Sequence, residues 1–252
     1  MTQKSCEQII LTIAGSDPSA EAGIQVDLQV FHSLRIHGIS AITAVTAQND
    51  ERFYSLNAVP STLLREQLRS VVERYRPGVV KIGMLGTEEN VLAVYRFLET
   101  ERIAKVVLDP VLRSSTGAVL LVPKGVAIMK QLLIPRVSIV TPNLDEAETL
   151  TGLKVRTVDQ MKEAALHLYE TCRGVKAVLV KGGHLEEEAT DVYYDGERWH
   201  LFVSRIRFPK KVHGTGCVYS AALAAYLAHG ETLERSTKLA KDYVTQWIKK
   251  RN

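Results

Sequence analysis

A chain of 252 residues with 46% apolar and 24% charged side chains fits one large α/β domain or two small ones and can bury a substantial core, which argues against a disordered protein. Its formal charge of +4 is small and its basic residues are scattered, so no nucleic-acid-binding stripe is expected; Lys249-Lys250-Arg251 reads as a solvated helix end. Cys6, Cys172 and Cys217 are far apart and form no CxxC pair, which argues against a disulfide framework or a structural zinc site and points to a reducing compartment.

In chain order, the apolar run Gln8 to Ala14 predicts the first strand. It is too short for a secretory signal and no run reaches membrane-spanning length, so a soluble, cytoplasmic protein is expected. Ile24 to Leu34 follows with apolar residues three and four apart, the spacing of a crossover helix, and Ala41 to Ala47 predicts a second strand. Phe53 to Val59 comes too soon after it for a helix and reads as a small strand at the sheet edge or in a lid. Helices over Thr62 to Tyr75, Glu88 to Glu101, Lys124 to Leu133 and Val158 to Arg173 then alternate with strands over Val79 to Ile82, Lys105 to Leu108, Val137 to Thr141 and Ala177 to Val180. Thr190 to Tyr194 and Arg198 to Val203 flank Asp195-Gly196, a two-residue hairpin signal. Two helices close the pattern, Thr215 to His229 and Leu233 to Lys250, with Gly230 as the stop between them. Strands alternating with helices predict a single domain over residues 1–252, a three-layer α/β/α sandwich with a mostly parallel sheet and a small antiparallel edge hairpin.

Ligands of such sheets bind beyond the carboxyl ends of the strands. There the chain places Ala14-Gly15-Ser16-Asp17-Pro18, Gln48-Asn49-Asp50, Gly83-Met84-Leu85-Gly86, Asp109-Pro110-Val111, Thr141-Pro142-Asn143-Leu144-Asp145-Glu146 and Lys181-Gly182-Gly183-His184. His213-Gly214-Thr215-Gly216-Cys217 opens an alanine-rich helix, where two glycines expose backbone N–H groups to an anion. The same loop would also serve as a helix entry chosen for close packing. Asp109 and Glu146 are hard oxygen ligands suited to Mg2+, and equally suited to a turn and to a first helical turn. Lys181 would counter phosphate charge, or snorkel to water from a strand end.

Taken together in this order, these motifs, with Ala22-Gly23-Ile24-Gln25-Val26-Asp27-Leu28 and Lys81-Ile82-Gly83-Met84-Leu85, resemble the hydroxymethylpyrimidine/phosphomethylpyrimidine kinases, the thiamine-pathway branch of the ribokinase-like superfamily. The match runs from about Gln8 to Leu227. The resemblance implies a ribokinase-like fold and phosphoryl transfer from ATP with Mg2+ to 4-amino-5-hydroxymethyl-2-methylpyrimidine and its monophosphate. It places the substrate against Gly15, Asp17, Gln48, Met84 and Val111, with the Gln48 carboxamide pairing with the aminopyrimidine edge. It gives Asn143, Lys181, Thr190 and Asp191 to the nucleotide, Asp109 and Glu146 to the metal, and the anion hole to Gly214, Thr215 and Gly216. Cys217 stands where most of the superfamily has an aspartate base; it would accept a proton from the substrate hydroxyl, or only orient it.

Two departures from the family pattern bear on turnover. Ala20-Glu21 replaces a pair of glycines beside the substrate, and relatives commonly carry a glycine- and histidine-containing tail beyond the last helix. The competing readings are a pyridoxal or pyridoxine kinase of the same branch, against which Gln48 argues, and a catalytically weak pyrimidine- or nucleotide-binding relative. A small-molecule acceptor, ATP and a homodimer are the expected partners, with no nucleic acid and no membrane.

Overall fold

A computed structural model describes residues 9–49, 51–183, 189–204 and 214–251. Cys6, Gln8, Asp50, His184 and His213, singled out above, lie outside the described residues. Nine strands form one sheet among these residues: β1 (Ile9–Ser16), β2 (His37–Gln48), β3 (Phe53–Ala58), β4 (Val79–Ile82), β5 (Val106–Leu108), β6 (Ile139–Val140), β7 (Ala177–Val180), β8 (Ala189–Tyr194) and β9 (Trp199–Ser204). Their order is β3-β2-β1-β4-β5-β6-β7-β8-β9. The six strands from β2 to β7 in this order are parallel and the hairpin β8–β9 pairs antiparallel at one flank, as the sequence predicts; β3 takes the edge position open to it and pairs antiparallel with β2 at the other flank.

The apolar β-branched runs become strands because both faces of the sheet are covered. Ile10, Val79, Val107, Ile139 and Leu179 point to one layer, built from α1 (Gly23–Ser33), α7 (Thr215–Ala228) and α8 (Leu233–Lys249). Their neighbours Leu11, Val80, Leu108, Val140 and Val178 point to the other, built from α2 (Ser61–Arg74), α3 (Glu88–Glu101), α4 (Pro123–Ile128), α5 (Leu144–Thr151) and α6 (Val158–Thr171). Removing each such side chain from water contributes about 1.5–3 kcal/mol, so the alternation fixes the strand register against both layers. Helix α7 is buried at every position from Val218 to Ala225, and its alanines let it lie close against the sheet between α1 and α8.

Three local readings are corrected. The helix expected over Lys124 to Leu133 is α-helical only to Ile128; a π-turn over Met129–Leu133 and a 3-10 turn over Ile134–Arg136 follow, the latter holding Pro135, which cannot donate an N–H to a helical ladder. The hairpin turn spans four residues, 195–198, because the Asp195 carboxylate accepts the N–H groups of Glu197 and Arg198 and so closes a longer loop. Sequence reading offers Glu146 only a first helical turn, whereas α5 runs eight residues from Leu144; these are too few to show a helical period, and a capping box and Gly152 define its ends.

Candidate active site

The carboxyl ends of the parallel strands open onto one cleft of about 810 Å³. It lies where β1 sits between β2 and β4, the point at which the chain switches direction across the sheet. At one end of the cleft stands the start of α7. Gly214, at φ 78°, is the N-cap of this helix and brings no side chain of its own to cap the first N–H groups. Beneath it the Lys181 Nζ lies 2.7 Å from Asp109 Oδ1, and Ser220 Oγ donates to Asp109 Oδ2 at 3.2 Å. A β-carbon at Gly216 would come within 3.2 Å of the Lys181 ammonium, so the missing side chain leaves that charge uncovered toward the loop. Burial by itself would lower the Lys181 pKa, but Asp109 and Glu146 reverse this and hold it raised and charged.

Asn143 and Glu146 cap α5 reciprocally. The Asn143 side chain accepts from Glu146 N at 2.9 Å, and Glu146 Oε2 accepts from Asn143 N at 2.8 Å. Burial pushes the Glu146 carboxyl up to about 8; Lys181 opposes this and Asp109 adds to it. Among the described residues no group of three His, Cys, Asp or Glu side chains could hold a metal ion. Asp109 and Glu146 thus offer two hard oxygen donors, a set that fits Mg2+ when phosphates and water complete its shell.

The other end of the cleft is apolar. Ala44, Met84 and Leu120 form a small cluster with Phe53, Leu56 and Val111 packed on it. Gly15 is bare because a β-carbon there would land on the Met84 methyl group. Gln48, at the end of β2, lines this wall, and its carboxamide takes no partner among the described residues. Asp17 also lines the cleft, but its carboxylate is engaged with the loop itself, accepting from Ser19 N, Ser19 Oγ and Ala22 N at 2.8–3.0 Å. Cys217 sits between the two ends. Burial pushes its thiol up to about 11 against the opposing charge of Lys81, and the Gly23 N–H donates to its sulfur.

The structure therefore brings together Gly15, Asp17, Gln48, Met84, Asp109, Val111, Asn143, Glu146, Lys181 and Gly214 to Cys217. It does not bring Thr190 and Asp191 to the cleft wall. Both are buried; Asp191 accepts from Gly182 N at 3.0 Å and pairs with Lys241 at 2.8 Å, so it supports the Lys181 loop from behind. Sequence reading assigned no role to Lys81 or Asp27, which form a fully buried ion pair at 2.8 Å. The available signal was a lysine inside the buried run Val79 to Ile82 and an aspartate on the apolar face of α1, three residues after Ile24.

Comparison with known proteins accords with this geometry. Residues 17–252 match the family model described as phosphomethylpyrimidine kinase. A hydroxymethylpyrimidine/phosphomethylpyrimidine kinase of Bacillus subtilis is 40% identical over 240 residues, covering 94% of this chain and 88% of the relative. The crystal structure of a phosphomethylpyrimidine kinase from Clostridium difficile superposes with a TM-score of 0.83 at 36% identity, covering 95% and 99% of the two chains. A Staphylococcus aureus pyridoxal kinase, solved with AMP-PCP and pyridoxal, gives 0.87 at 34% identity over 96% of this chain and 88% of its own. With its fold, cleft and sequence all in agreement, the chain belongs to the phosphomethylpyrimidine kinase family.

Proposed function

We propose that the protein phosphorylates 4-amino-5-hydroxymethyl-2-methylpyrimidine and its monophosphate at the expense of ATP. The observation that carries this reading is one cleft holding a glycine-capped helix start over Lys181 and, beside it, an apolar wall with the Gln48 carboxamide, which has no partner among the described residues. An amide presents a donor and an acceptor in one plane, which suits the amino group and adjacent ring nitrogen of an aminopyrimidine. The ring would lie against Met84 and Val111. The nucleotide's terminal phosphate would meet the N–H groups of Thr215 and Gly216, preorganised where charge develops during transfer.

Asp109 and Glu146 would hold Mg2+, which neutralises phosphate charge when bound. Asn143 fixes Glu146 through the capping box, and Lys181 keeps its charge beside them. Cys217 orients the acceptor hydroxyl: with its thiol pushed up to about 11, it keeps its own proton near neutrality, which does not suit a resting general base. Asp191 and Lys241 set the Gly182 peptide and so aim Lys181 at the nucleotide. A homodimer meeting along the exposed face of β3, where Tyr54 is 60% exposed, and a cytoplasmic setting complete the reading. No helix among the described residues is long and apolar enough to cross a membrane.

A pyridoxal kinase is the second reading, favoured by the fit to the Staphylococcus aureus enzyme. One incubation with hydroxymethylpyrimidine, pyridoxal and Mg-ATP, with products resolved by mass, separates the two. The aminopyrimidine mono- and diphosphates are expected. Pyridoxal preferred by about tenfold or more would overturn the proposal.

A further inference from the structure

Lys81 is the charged residue in the otherwise apolar strand β4, and it points with Val79 into the layer of α1 and α7. There its Nζ lies 2.8 Å from Asp27 Oδ2, which also accepts from Thr12 Oγ1 at 2.6 Å. Both members of the pair are 0% exposed. Desolvating two charges offsets most of their attraction, and apolar side chains of similar volume often pack as well or better. Fold stability alone therefore gives no reason for a lysine here.

The surroundings turn this charge toward the cleft. Lys81 lines the cleft and Asp27 does not, so the positive end of the pair faces the ligand space. Gly83, itself part of the cleft wall, lets the ammonium lie close beneath it, since a β-carbon there would come within 3.0 Å of Nζ. Asp27 anchors it from behind, with Oδ1 buried and lacking a hydrogen-bond partner among the described residues. Burial would lower the Lys81 pKa, but the carboxylates of Asp27 and Asp109 help reverse this and keep it charged. The other cations along the cleft are committed elsewhere. Lys181 pairs with Asp109, Arg156 with Asp145 and Glu148, and the exposed Arg113 donates to the Gly117 carbonyl. Two lysines thus lie under the cleft, each beneath a bare glycine: Lys181 under Gly216 at the anion loop, and Lys81 under Gly83 toward the apolar end.

We infer that Lys81, fixed by Asp27 and Thr12, is a positioning residue that favours a negatively charged acceptor, a phosphomonoester, over a neutral alcohol. This rests on the kinase reading above. A fully buried ammonium does not touch the ligand; it acts through its field, which the low dielectric of the interior screens weakly. A neutral hydroxymethyl group gains little from that field. A phosphomonoester carries about two negative charges and must approach the anionic terminal phosphate of the nucleotide, so a cation on its own side of the cleft offsets the repulsion.

The test is kcat/KM for hydroxymethylpyrimidine and for its monophosphate, with Mg-ATP, in the wild type and in the double variant Asp27→Asn/Lys81→Gln. That variant removes both charges and keeps groups able to hydrogen-bond to each other, so neither partner is left as an unpaired ion. Both rates are expected to fall, that for the monophosphate about tenfold or more further than that for the alcohol. Equal falls, or an unchanged ratio, would overturn the inference. If circular dichroism shows the double variant unfolded, Gly83→Ala decides, because its methyl group would come within 3.0 Å of the ammonium and 3.1 Å of the Ala14 β-carbon and so must shift the charge from its place. The ratio should move in the same direction, and a ratio that stays at the wild-type value would sink the idea. A wild type that turns over neither acceptor would overturn the kinase reading itself, an outcome distinct from an active enzyme whose preference survives the loss of Lys81.

Discussion

Gly214→Ala separates two demands that the anion loop makes of one residue. Gly214 has φ 78°, a left-handed conformation that costs an alanine about 1–2 kcal/mol. Its β-carbon would also fall on the Glu21 carbonyl oxygen, with the Ala22 Cα 3.7 Å away. Gly152, at the end of α5, has nearly the same φ, 76°, and nothing within 4 Å of a β-carbon. Gly152→Ala therefore carries the backbone strain alone, and for a chain of this size should lower Tm by about 2–8 °C with turnover intact. In Gly214→Ala the overlap can be relieved only by moving the loop around Glu21 or the start of α7 itself. A displacement of about 1 Å at a phosphoryl-transfer site costs on the order of a hundredfold in rate. The expected outcome is a comparable or somewhat larger loss of Tm together with a kcat/KM about a hundredfold below that of Gly152→Ala. Thermal unfolding and coupled detection of ADP release measure the two quantities. If the two variants matched in both, the contact between Glu21 and Gly214 would have no part in holding the cleft.

Gln48→Leu should reduce kcat/KM for the aminopyrimidine by about tenfold or more, since a bidentate amide contact discriminates by about 1–3 kcal/mol, and should affect pyridoxal less; equal losses on both would remove Gln48 from recognition. Cys217 should react with iodoacetamide at pH 8 at least about tenfold more slowly than free cysteine and accelerate toward pH 11, as followed by peptide mass spectrometry; labelling at the free rate would contradict the upward shift of its thiol. Cys217→Ala should lower kcat by less than about a hundredfold, the lower bound for losing a general base, and a larger loss would restore Cys217 as the proton acceptor. Glu146, with a folded pKa of about 8 against 4.5, binds a proton in the fold that the unfolded chain has released. Stability of the metal-free protein should therefore fall with rising pH between those values, by at most about 1.4 kcal/mol per pH unit, and Glu146→Gln should flatten the slope. Parallel urea-unfolding curves of the two proteins from pH 5 to 8 would refute this.

What could be read from the sequence follows from how local each signal is. Strands β1, β4, β5 and β7 announce themselves because a strand covered on both faces must be apolar at consecutive positions, and the polar residues just after them are then fixed to one rim. Hence Asp109, Asn143, Glu146, Lys181 and the Gly214 loop were legible as neighbours although up to 107 residues separate them, counting from Asp109 to Gly216. Pairs formed across layers leave no such trace. Lys81 meets Asp27 across 54 positions and Lys241 of α8 meets Asp191 of β8 across 50, and no periodicity in either segment records the partner. Asp191 is instructive. The family resemblance gives it to the nucleotide; the antiparallel register of β8 against β7, with Val192 opposite Val180, sets its carboxylate against Gly182 N and Lys241.

The substitution of Ala20-Glu21 for two glycines raised the question of whether the loop beside the acceptor could still close. The fold answers it through compensating contacts. Ala20 adopts φ 58°, the left-handed conformation a glycine would have taken, at a cost of about 1 kcal/mol. Its N–H donates to the Asp17 carbonyl, and the Asp17 carboxylate gathers Ser19 and Ala22, so three hydrogen-bonded residues hold the turn that one glycine would have left loose. Glu21 points the other way, to Arg251 at 2.6 Å, whose guanidinium also stacks 4.0 Å from the Trp247 ring centroid. About a third of each ion-pair side chain is exposed, so the pair itself contributes little to stability. Its consequence is geometric. The Glu21 carbonyl is held against the bare Cα of Gly214, which ties the loop after β1 to the loop that opens α7. A glycine pair would let that loop open and close at low cost; this chain instead spends backbone strain to keep it near one position, which favours a preorganised cleft over one assembled around its ligand.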